Sequence, residues 1–168
     1  MISSFRMTAG FAEQVRRDLS RSHVHAHERV GFISAKAAVT ESGLTMIASD
    51  YHQVADEDYV RDASVGAMMS EDAVRKALQI CWTSKCAMVH VHMHEHKGLP
   101  WFGRLDLHEN GRFMPDFFNV QPGLPHAALV LSHDAAAGLI WPVRGRLPVR
   151  FDEVVEVGRP YRVSRRTA

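Results

Sequence analysis

The sequence predicts an α/β or α+β sandwich, in which helices flank one mixed β-sheet within a single domain. Three observations carry this reading. Helical periods recur in separated stretches, residues 86–94 alternate between two kinds of side chain, and short apolar runs bounded by turn residues fill the intervals. A chain of 168 residues buries about two thirds of its unfolded surface around one core. Its composition, 46% hydrophobic and 23% charged, excludes a disordered or low-complexity chain.

Phe11, Val15 and Leu19, with Arg16, Arg17 and Asp18 between them, predict a first helix over residues 9–21. Residues 28–39 and 44–54 are short apolar and small-residue runs separated by Glu41, Ser42 and Gly43, which reads as a β-hairpin. Residues 55–69 lack a sustained period and carry the acidic cluster Asp56, Glu57 and Asp58, so a loop or short edge segment is expected there. Ser70 reads as an N-cap, followed by Glu71 and Asp72 in a first turn where negative charge opposes the helix dipole favourably. Val74, Ala77, Leu78, Cys81 and Trp82 then form the apolar face of a second helix.

The segment 86–94 has the period of a strand, which sends His90, His92 and His94 to one face and Val89, Val91 and Met93 to the other. A loop over residues 97–103 leads into a third helix over residues 104–119, expected to break near Gly111 or Pro115. Two further strands are expected over residues 126–132 and 137–143. The core is thus expected over about residues 9–143. Residues 144–168, with seven arginines, read as a solvated extension, or as a segment that docks on an acidic partner or nucleic acid.

A net charge of +1 gives no global field that would draw nucleic acid or a membrane. Two cysteines, Cys81 and Cys86, are too few for a disulfide framework and are not spaced as a Cys-x-x-Cys pair. The first residues contain no apolar stretch of signal-peptide length, and the longest unbroken hydrophobic run, residues 127–131, is far short of a membrane span. A reduced, cytoplasmic protein is the expectation.

The histidines point to a metal. Two residues at i and i+2 on a strand project the same way, and imidazoles there can close on one ion that takes a carboxylate as its third protein ligand. Asp106 follows the Pro-containing turn near the start of the third helix, where the chain can fold back over the strand end. His92, His94 and Asp106 would then make a 2-His-1-carboxylate site. His90 and His92 form an alternative pair, but the spacing to Asp106 favours His92 and His94 and leaves His90 as a buried polar residue beneath the site. His23, His25 and His27 offer a place for adventitious transition metal. His52, His108 and His133 read as solvated or capped side chains, His96 as rim, and Phe102, Phe113, Phe117 and Phe118 as packing.

These motifs resemble the JAMM/MPN-domain zinc metalloproteases, in particular the short bacterial type associated with ubiquitin-like modification systems. The resemblance lies in Glu28-Arg29-Val30-Gly31, then His92-Met93-His94, then Gly103-Arg104-Leu105-Asp106, with residues 126–132 and 138–143 similar to the family's paired C-terminal strands. It spans roughly residues 28–143. It implies an MPN-like sheet sandwiched by helices, zinc on His92, His94 and Asp106, and Glu28 as the general base and acid. It further implies that the protein is a deubiquitinase-like isopeptidase, releasing a ubiquitin-like protein from a lysine or trimming its C-terminus. The tail would bind by adding a strand to a sheet edge, with Trp101 and Tyr59 lining the groove. Activating and conjugating enzymes of the same system are the implied partners, and antiviral defence is an implied setting.

Gly103 departs from the pattern, because the family has Ser there to help stabilise the oxyanion. Loss of one such donor costs about 10²–10³ in rate. A catalytically impaired MPN module that binds a ubiquitin-like protein or serves as an assembly subunit is therefore the first alternative. A hydrolase that processes a small molecule or a sulfur carrier is the second.

Overall fold

The computed structural model describes residues 2–41, 43–62, 66–158 and 161–165. Nine strands form one mixed sheet: β1 (Ile2–Thr8), β2 (Val30–Thr40), β3 (Gly43–Gln53), β4 (Ala87–Met93), β5 (His126–Leu131), β6 (Ala136–Trp141), β7 (Val149–Arg150), β8 (Glu153–Val157) and β9 (Arg162–Arg165). Their order across the sheet is β7-β6-β5-β4-β2-β3-β1-β8-β9. Among the described residues three helices, α1 (Ala9–Leu19), α2 (Glu71–Ser84) and α3 (Arg104–Val120), cover it, and a 3-10 turn spans Asp56–Asp58. No helix among the described residues is long and apolar enough to cross a membrane.

Local chemistry explains where the helices start. Thr8 caps α1 by accepting the Phe11 N–H at 3.1 Å, and Ser70 caps α2 by accepting that of Ala73 at 3.2 Å. Helix α1 buries Ala12, Val15 and Leu19 on one face of the sheet, against Phe5, Met46, Val89 and Val91. Helices α2 and α3 bury Ala77, Cys81, Phe113 and Phe117 on the other, against Phe32, Met88 and Ala128. Strand β4, antiparallel to β2 and parallel to β5, is covered on both faces, so all seven of its residues are buried. Cys81 and Cys86 are free thiols inside the second of these cores.

Three expectations change. Residues 2–8 form a strand that the sequence did not announce, and the C-terminal segment is no solvated tail. Strand β8 lies parallel to β1, with Val154 and Val155 buried, and β9 pairs antiparallel with β8. The core therefore extends beyond residues 9–143 at both ends, taking in Phe5, Met7 and Phe151. Helix α3 also runs unbroken through Pro115. The missing N–H of Pro115 leaves only the Gly111 carbonyl without its helical donor, and both residues are exposed, so water can replace that bond.

Arg16 ties the second half of the sheet to α1. Its guanidinium bonds both carboxylate oxygens of Glu156 on β8 and donates to the Ser132 carbonyl at 2.8 Å at the end of β5. Both side chains are nearly buried, at 13% and 6% exposure, so losing one partner strands the other without solvent. We expect Glu156→Ala to lower unfolding stability by about 3 kcal/mol, read as a fall in the urea midpoint at unchanged slope.

His126 gives the fold a pH dependence. Its Nδ1 accepts the Met88 N–H at 3.1 Å, so the proton of the neutral ring sits on Nε2, facing the Gln121 carbonyl at 3.3 Å. Burial pushes its pKa down to about 4. The unfolded chain, with a histidine pKa of about 6.5, then binds the extra proton first. Stability is therefore retained above about pH 6.5 and declines as the pH falls toward 4, by up to about 3 kcal/mol from this residue. Urea melts from pH 4 to 7 should show that slope, reduced in His126→Gln.

Candidate metal centre

His92 stands near the end of β4, opposite Val30 of β2 and Val130 of β5, and is 2% exposed. Past Met93, the His94 N–H continues the pairing with β5 by donating to the Leu131 carbonyl at 2.9 Å. The loop that follows is pinned to the turn between β5 and β6. Ser132 Oγ donates to the Gly98 carbonyl and Asp134 accepts the Gly98 N–H, each at 2.7 Å. Gly98 has φ +88°, a conformation that favours glycine. The loop then delivers Gly103 to the N-cap of α3, where Asp106, three residues on, accepts the Gly103 N–H on Oδ2 at 2.7 Å.

This folding brings the three expected ligands together. Asp106 Oδ2 is 3.5 Å from His92 Nε2 and 3.8 Å from His94 Nε2. Both separations are too long for good hydrogen bonds. Two ligand atoms at zinc–nitrogen or zinc–oxygen distance from one tetrahedral ion stand about 3.3 Å apart, so a small inward movement of the carboxylate and imidazoles would let them share a cation. His92, His94 and Asp106 are the one group of three or more such side chains among the described residues whose donor atoms cluster closely enough to hold a metal.

The state of these side chains fits that use. His92 Nε2 is buried without a hydrogen-bond partner, a costly arrangement unless an ion or water meets it. Burial, and then the neighbouring His92, hold the pKa of His94 below the usual imidazole range, which favours the neutral, ligating form. Burial opposes charge on Asp106, but His92, the Gly103 N–H and His94 outweigh it and keep the carboxyl pKa below its ordinary value. Two imidazoles facing a carboxylate are a donor set that zinc takes.

Glu28 lies in the same cleft, a cavity of about 500 Å³ bordered by His90, His92 and Asp106 and by the walls of α2 and α3. Glu28, just before β2, lies close enough to His94 for its charge to act on that imidazole. The Gly66 carbonyl accepts the N–H groups of both His27 and Glu28, at 2.8 and 3.0 Å. A Cβ at position 66 would come within 2.8 Å of Glu28 Oε2, so only glycine leaves the carboxylate this place. Arg29, 2% exposed, anchors the next residue through Asp56 and the carbonyls of Arg21 and Ser22.

Neither of the two expected groove residues borders this cavity. Tyr59 is buried and its hydroxyl bonds both the N–H and the carbonyl of Val30, clamping the start of β2 instead of bordering the cleft. Trp101 is 61% exposed, stacks on His96 with centroids 5.3 Å apart and meets the His94 ring edge-on at 6.1 Å. Gly103 is the N-cap without a side chain, and its ideal Cβ would meet Asp106 Oδ2 at 3.3 Å, which a slight shift of the carboxylate accommodates. His90 turns to Asn110 and does not join the ligand cluster. His23 packs on Tyr59 and His25.

Sequence reasoning missed Asn110, although its position four residues after Asp106 on a helix already put the two on one face. For Arg29, Tyr59 and Gly66 no local signal existed, because each acts through a contact distant in the chain. No protein-family model matches the chain, and no curated protein matches it. We expect the purified chain to carry near-equimolar zinc in native mass spectrometry and Asp106→Ala to lose most of it; zinc content indifferent to Asp106 would defeat the assignment.

Proposed function

We propose that the protein is a zinc-dependent peptidase of the JAMM/MPN type that cleaves the bond following the C-terminus of a ubiquitin-like protein. One observation carries the reading. Glu28, His92 and Asp106, which are separated in the sequence and lie on different elements, border one cleft, and His94 joins His92 and Asp106 in one ligand cluster, in the order of the family motif. Zinc held by His92, His94 and Asp106 would supply Lewis acidity, making water a nucleophile near neutral pH and polarising a carbonyl. Glu28 takes the proton of the attacking water and returns it to the departing amine. Its backbone is fixed by the Gly66 carbonyl, so the carboxylate is positioned before substrate arrives.

The sheet edges are β7 and β9, and neither borders the cleft. An extended tail would instead add its strand along residues 67–69, which border the cleft and are joined to residues 58–60 through the Val60–Met68 and Ser70–Asp58 hydrogen bonds. Val74, Leu78, Leu105 and Phe113 give that path an apolar wall. The partner is accordingly a ubiquitin-like protein and its conjugates.

Gly103 favours a second reading, a module that binds the ubiquitin-like protein without cleaving it, because the N-cap offers no hydroxyl to a developing oxyanion. The two separate in one assay. Cleavage of a ubiquitin-like fusion should be chelator-sensitive, absent in Glu28→Gln, and raised about 10²–10³-fold in Gly103→Ser. Binding without turnover, even in Gly103→Ser, would sink the peptidase in favour of the module.

A further inference from the structure

We infer that His90 and Asn110, neither of them a ligand, form a brace that positions Asp106 for metal binding; the inference rests on the metal-site reading above. His90 lies two residues before His92 on the same face of β4, and its Nδ1 is 3.0 Å from Oδ1 of the fully buried Asn110. Asn110 sends its Nδ2 to the carbonyl oxygen of Asp106, one helical turn back, at 2.7 Å.

The second bond fixes the first. A carbonyl only accepts, so Nδ2 is committed to Asp106 and Oδ1 must be the atom that faces His90. An acceptor at that position requires the proton on Nδ1, which sets the tautomer of His90. A continuous hydrogen-bonded path therefore runs from the strand that carries His92 to the helical turn that carries Asp106. At 3.0 Å the His90–Asn110 bond is the tighter link from β4 to α3, against 3.5 Å between His92 and Asp106.

The path matters because the ligands sit on separate elements and must keep their spacing within tenths of an ångström. Gly103 provides no side-chain cap to the first turn of α3, so that turn is held by the Gly103 N–H on Asp106 Oδ2 and by Asn110 on the Asp106 carbonyl. When the carboxylate also ligates a cation, the backbone bond from Asn110 keeps the turn from following it. His90 and Asn110 are positioning residues, and their removal is felt as loss of metal affinity.

The experiment titrates the full chain with zinc against a chromophoric chelator and records cobalt absorption spectra. It compares the unaltered protein with Asn110→Leu, His90→Phe, the double variant and His90→Asn, which keeps an N–H near the position of Nδ1. Each of the first two should weaken zinc binding about 10–100-fold and alter the cobalt spectrum. The double variant should be no weaker than the worse single one, and His90→Asn should return to within about threefold of the unaltered affinity. If Asn110→Leu does not fold, His90→Phe and His90→Asn carry the comparison. A folded His90→Phe protein with unchanged zinc affinity and cobalt spectrum overturns the brace, as do losses that add in the double variant. Absence of metal binding in the unaltered chain overturns the reading beneath it, a different failure from the loss of the brace alone.

Discussion

A strand buried on both faces and lined with imidazoles is the constraint around which this molecule is built. Strand β4 places two nearly buried histidine rings at the wall of the cleft, and each buried ring nitrogen costs free energy until something meets it. The rings meet that demand differently. His90 uses the amide of Asn110 at Nδ1 and leaves Nε2 without a partner, whereas His92 faces the carboxylate of Asp106 at a distance that leaves room for a cation between them. His94, beyond the end of the strand, keeps partial contact with solvent. The position of α3 follows from this arrangement, because both Asn110 and Asp106 must face the strand at once.

The same logic governs the other side of the cleft. Glu28 precedes β2, and a residue in such a place would ordinarily be solvated. Here its neighbours are immobilised by groups with no chemistry of their own: the buried Arg29, the hydroxyl of Tyr59 on Val30, and the carbonyl of Gly66. Glu28 and the His92–His94–Asp106 cluster are therefore held by different contacts. Those of Glu28 act through β2 and the loop before it, those of the cluster through β4 and α3.

The sequence revealed what depends on local period and spacing. The alternation at His90, His92 and His94, the Ser70 cap, the hairpin and the pairing of Asp106 with the histidines all rest on a few adjacent residues or on one strand and the turn that follows it. What it concealed depends on distant partners. Nothing in residues 2–8 announces a strand, since β1 becomes one by lying between β3 and β8. The arginine-rich terminus looks solvated for the same reason, because its buried valines are few and its place in the sheet is set by Ser3 and Asp152. Tyr59 looked like a groove residue because an aromatic in an acidic loop carries no sign that its hydroxyl is already engaged.

The placement of β8 beside β1 also orders events during synthesis. The elements that carry the site, from Glu28 through the end of β5, leave the ribosome as one stretch and can pair among themselves. Strand β1, made first, must wait for residues 153–157 before its second edge is covered, a contact between segments 149 positions apart. Such non-local closure is slow, and an open strand edge is a template for association with other chains. During synthesis β1 is thus more open to aggregation than the histidine-lined centre.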